Sequence, residues 1–103
     1  LLVVFDLGTT VNPEKNIWLD LLERWPKDVP HKGVIMTELN ESIPFVGFAY
    51  DDNMVVVQRQ TPDAIGARQV IIPFTSISYL KITAIVLPKS FADFGFKGSM
   101  PKV

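Results

Sequence analysis

The sequence predicts a mainly β domain, a small, strongly bent, five-stranded antiparallel barrel behind one short N-terminal helix. Three observations carry this. Five β-rich runs follow one another between Lys32 and Thr83, separated by turn residues. The middle runs are apolar on both faces, as in a curled sheet that fills an interior with one face and meets a neighbour with the other. Gly47 inside one run and Pro73 after another are residue types found where a sheet bends or breaks.

The bulk composition sets the limits. A chain of 103 residues has room for one core, so residues 1–103 are read as one domain. Its 48% apolar and 20% charged residues belong to a globular protein, not a disordered one. Ten basic against eleven acidic residues give a net charge of −1, which argues against a grip on many phosphates. There is no cysteine, which excludes disulfides and thiolate chemistry and fits a cytoplasmic setting. The apolar start Leu1–Phe5 is too short to span a bilayer, so no membrane partner is expected. The chain does not begin with Met, as a processed chain or a fragment would not.

Residues 1–11 read as a terminal strand, with Leu1–Asp6 apolar enough to pair with a sheet edge. Residues 12–25 read as the helix. Asn12 is a good cap, Pro13 suits the first helical position, and Glu14 complements the positive end of the dipole. Ile17, Trp18, Leu21, Leu22 and Trp25 form one apolar stripe, and Pro26 ends it. His31, the only histidine, has no second histidine or cysteine nearby, so it is read as an exposed loop residue rather than a metal ligand or base.

Residues 32–83 hold the barrel strands: Lys32–Leu39, Ile43–Tyr50, Met54–Gln60, Arg68–Ile72 and Ile77–Thr83. Asp51-Asp52-Asn53 suits a tight hairpin turn, and Thr61–Ala67 a looser one. Pro73 cannot donate to a ladder, so the last strand is expected to leave its neighbour and offer an edge for oligomerisation. In the C-terminal extension, residues 84–103, Phe91, Phe94 and Phe96 are expected to dock on the domain or on another subunit.

A helix, five bent strands and a break before the last one together resemble the Sm/LSm-like small barrels, the SH3-like family that includes the bacterial RNA chaperone Hfq. Gly47-Phe48-Ala49-Tyr50-Asp51-Asp52-Asn53-Met54 followed by three Val is similar to the family's first motif, with Asn53 and Met54 in reversed order and a shorter spacing. Ile72-Pro73-Phe74-Thr75-Ser76-Ile77 stands at the second motif, with Pro73 in place of the cation and Phe74 in place of Gly or His. The resemblance implies a homo-oligomeric ring that binds single-stranded RNA near its pore. It would place Asp52, Asn53, Phe74 and Thr75 on the RNA, and Val70, Ile72, Ile77 and Tyr79 between subunits.

The residues also fit a second reading, a structural or protein-interaction oligomer without nucleic acid. Near-neutral charge and two-faced apolar strands support it, and neither loop carries a Lys or Arg. An enzyme is not expected. Asp51 and Asp52 are adjacent, so along a strand their side chains diverge, and no nucleophile, phosphate loop, metal spacing or cofactor motif occurs.

Overall fold

A computed structural model describes residues 16–101. The expected strand at Leu1–Asp6 and the expected helix start at Asn12 lie outside them. Within them stand one helix, α1 (Ile17–Glu23), and six strands: β1 (Gly33–Thr37), β2 (Ser42–Phe45), β3 (Gly47–Tyr50), β4 (Met54–Gln58), β5 (Gln69–Pro73) and β6 (Ile77–Ile82).

The five-stranded closed barrel is corrected. The strands form two three-stranded antiparallel sheets, ordered β2-β1-β6 and β3-β4-β5. The difference arises at Val46. The expected strand Ile43–Tyr50 divides there, because the Val46 N–H donates to the Gln58 carbonyl at 2.8 Å while Gly47 is the register partner of Gln58. Two residues thus face one, which is a β-bulge. The bulge flips the side-chain phase. Before it Ile43 and Phe45 are buried, and after it Phe48, not Ala49, packs on the core. Gly47 needs neither a positive φ nor a close approach, since an added Cβ would meet nothing nearer than 4.0 Å.

The helix is also shorter than expected. Asn16 has an extended backbone and its side chain accepts from the N–H groups of Trp18 (3.1 Å) and Leu19 (3.4 Å), so Asn16 caps the helix. Leu22 and Trp25 reach the core and Trp18, Leu19 and Leu21 pack beside it, but Ile17 is 68% exposed and leaves the expected stripe. Trp25 is tolerated inside because its Nε1 donates to the Val29 carbonyl at 3.0 Å.

One core joins the two sheets. Ile35 of β1, Ile43 and Phe45 of β2, Val55 and Val57 of β4, and Ile72 of β5 meet Leu22, Trp25 and Val29. β4 buries Val55 and Val57 while Met54 and Gln58 face out, the alternation of a one-sided sheet. Each such valine contributes about 1.5–3 kcal/mol by burial. β1 comes so close to β6 that a Cβ on Gly33 would lie 2.2 Å from the Lys81 carbonyl oxygen, so only glycine fits.

Pro73 is the last residue of β5, not the break itself. The break is the 3-10 turn Phe74–Ser76, which swings the chain from one sheet to the other.

Candidate functional site

Two places were singled out by the sequence, the paired loops and the strand edges. The loops do come together. The Phe74 N–H donates to the Asn53 carbonyl at 3.0 Å, so the turn at Asp51–Asn53 lies against the turn at Phe74–Ser76. Their side chains do not make a base-binding surface. Phe74 is 4% exposed and belongs to the core, so its ring cannot stack on a base. Asp51 is occupied in folding its own turn, its Oδ1 accepting from the N–H groups of Asn53 (2.8 Å) and Met54 (3.0 Å). Asp52, Asn53 and Thr75 are exposed, and the loops bring one another no cation. The only charged groups in the two turns are the carboxylates of Asp51 and Asp52, which would repel phosphate.

The four residues assigned to a subunit interface separate into two kinds. Ile72 and Ile77 are buried in the core. Tyr79 is 48% exposed and Val70 half-buried. On β5 and β6 the most exposed apolar side chain is Ile71, 65% exposed on β5, which was not among those four.

The edge geometry follows from the ladder. The Phe74 N–H bond to Asn53 and the 2.8 Å bond from the Arg59 N–H to the Arg68 carbonyl bracket the β4–β5 pair. Hydrogen-bonded pairs alternate in an antiparallel ladder, so Ile72 and Val70 bond to β4 while Gln69, Ile71 and Pro73 turn their backbone groups outward. Pro73, which has no N–H to offer, sits where none is needed. On the other sheet the Thr37 N–H donates to the Glu41 carbonyl at 3.0 Å, so Val34 and Met36 face β6 and pair with Lys81 and Tyr79. Leu80 and Ile82 then present their backbone groups outward. Among the described residues, no backbone hydrogen bond occupies either outward row. Beside the β5 edge runs a groove of about 410 Å3 lined by Leu39, Ile71 and Pro73 on apolar walls and Glu38 and Glu41 on its rim.

His31 is exposed as expected, but it is not alone. Its ring stacks on Phe48 (centroids 4.7 Å apart, planes 26° apart), and Trp25 meets both edge-on. No local spacing predicts that group, because β3 and the connection before β1 meet only through the fold. Elsewhere Asp63 organises its loop. Its Oδ1 accepts from Ala67 (2.8 Å) and Ile65 (3.0 Å), and these bonds, the one from Ala67 foremost, hold its carboxyl below the ordinary carboxylate range. Among the described residues no cluster of three or more His, Asp or Glu is placed to hold a metal, and no helix is long and apolar enough to cross a membrane.

Comparison with protein-family models, with curated proteins and with solved structures found no significant match.

Proposed function

We propose that this chain is a protein-interaction module that self-associates by strand addition, the β5 edge of one copy pairing with the β6 edge of the next. One observation carries the reading. Among the described residues the outward backbone rows of the β5 and β6 edges carry no backbone partner, and each edge bears an exposed apolar side chain, Ile71 on β5 and Tyr79 on β6. Because the two edges differ, the contact is head-to-tail and repeats from copy to copy, giving a ring if the rotation closes. Charge supports the match, since Glu38 and Glu41 rim the groove beside β5 while Lys81 is exposed on β6. The buried Phe74 and the acidic turn at Asp51–Asn53 favour this over the RNA-binding reading.

A mixing experiment tests it. Ile71→Lys blocks one edge and Tyr79→Lys the other, so each variant alone is expected to be monomeric. Mixed, they retain one compatible pair of edges and are expected to form a 1:1 heterodimer. Two variants that remain as associated as the parent, or that fail to combine when mixed, contradict the reading. Titration of oligo-U and oligo-A at low salt, where phosphate contacts are strongest, is expected to show no binding. Binding there would restore the RNA reading.

A further inference from the structure

Beyond β6 the chain runs to the C-terminal end of α1, where it meets Arg24 and Asp28. The 3-10 segment Pro88–Phe94 has no buried residue, and Phe91, Phe94 and Phe96 pack mainly on one another, with centroids 5.5–6.2 Å apart. What ties it down is polar and lies at the far end of α1. Arg24 holds the Asp20 carboxylate through Nε and Nη2, donates from Nη1 to the Asp93 carbonyl at 2.9 Å, and sits 4.0 Å over the Phe94 ring. The Ser90 hydroxyl donates to Asp28 Oδ2 at 2.6 Å. A groove of about 790 Å3 beside this segment is lined by Ile82 at the end of β6, by Val86, and by Phe91, Phe96 and Met100.

We propose that residues 87–100, beyond Val86 which packs against the core, form a releasable strap, latched by Arg24 and by Ser90–Asp28, which stands over the Ile82 end of the β6 edge and restrains its pairing with a second copy. This rests on the self-association reading above. The physical case is one of unequal anchoring. The domain is held by one buried core, whereas the strap is held by one guanidinium–carbonyl bond, a cation–π contact and one hydroxyl–carboxylate bond, all at the surface. Contacts of that kind are weak and screened by salt. Elements of low local stability open without global unfolding, and here the open form uncovers the outward backbone groups of Ile82, at the end of the β6 edge, to an incoming strand. The latch is thus a charge- and salt-sensitive regulator of assembly.

The test uses the full chain with Arg24→Ala, and Ser90→Ala as a second variant acting on the other anchor. Two readouts are taken together. Trypsin cleavage after Lys89 and Lys97 reports strap opening, because slow cleavage tracks the open population. Sedimentation velocity over a concentration series reports association. Arg24→Ala is expected to raise the cleavage rate about tenfold, the loss of one hydrogen bond and one cation–π contact, and to shift association to several-fold lower concentration. Ser90→Ala is expected to move both the same way by a smaller factor. Unchanged cleavage in both variants overturns the latch. Faster cleavage with unchanged association of a self-associating parent overturns the shielding. A parent and variants that are monomeric throughout overturn the regulation along with the self-association reading, and cleavage still reports on the latch by itself.

Discussion

Gly33→Ala and Gly47→Ala make the same chemical change in two strands and are expected to have opposite effects. At Gly33 the new Cβ would stand 2.2 Å from the Lys81 carbonyl oxygen, a backbone atom of β6 that no rotamer change can remove. Reaching van der Waals contact requires β1 and β6 to part by about 1 Å. Overpacking of this kind costs about 1–3 kcal/mol, and each ladder bond weakened by the shift adds about 0.5–1.5 kcal/mol. A total of about 3 kcal/mol is a large share of the roughly 5–15 kcal/mol that holds a domain of this size. In urea, with a slope of about 1–3 kcal/mol per molar, the midpoint is expected to fall by roughly 1–3 M. At Gly47 the nearest atom to the new Cβ is Gln58 Cβ at 4.0 Å. There alanine fits, and by restricting the unfolded chain it is expected to stabilise by about 0.4–1 kcal/mol. Equilibrium urea unfolding followed by far-ultraviolet circular dichroism measures both. Equal midpoints for the two variants, or a Gly33→Ala protein as stable as the parent, would refute the close approach of β1 to β6.

Phe74→Ala separates a core role from a ligand role: it is expected to cost about 3–5 kcal/mol of stability, and a variant that keeps its midpoint would place the ring outside the core. Asp63 gives a pH signature. Its folded carboxyl lies below the ordinary value of 3.8, so its contribution is present above that value and lost as pH falls through the lower folded value. Compared with Asp63→Asn across pH 2–7, the parent's advantage is expected to shrink only at the acid end of that range. A difference that stays constant with pH would mean that the carboxylate charge plays no part.

Much of the strand content was legible because turn chemistry is local. Asp51-Asp52-Asn53, Asn40 and Pro73 fall at or beside turns, and Asn40 takes the left-handed conformation (φ 65°) that asparagine tolerates. The division of residues 43–50 was not legible, since the Val46 bulge depends on a carbonyl twelve residues downstream, that of Gln58. Asn16 caps the helix, whereas the local signature pointed to Asn12, which lies outside the described residues. The turns at Asp51–Asn53 and Phe74–Ser76 lie side by side, but the direction of Phe74 was not legible. The 3-10 turn resets the side-chain phase after β5, and that phase decides whether the ring faces the core or a ligand. Ile71 was not legible for a different reason: in the run Val70-Ile71-Ile72 only the register with β4 tells which side chain is left outside.

Sedimentation equilibrium of the unmodified chain, from low micromolar to millimolar concentration at moderate salt, tests the central claim most directly. Pairing of the β5 and β6 edges predicts a mass that rises above that of the single chain with concentration and returns to it on Ile71→Lys. A strict monomer throughout the range would contradict it.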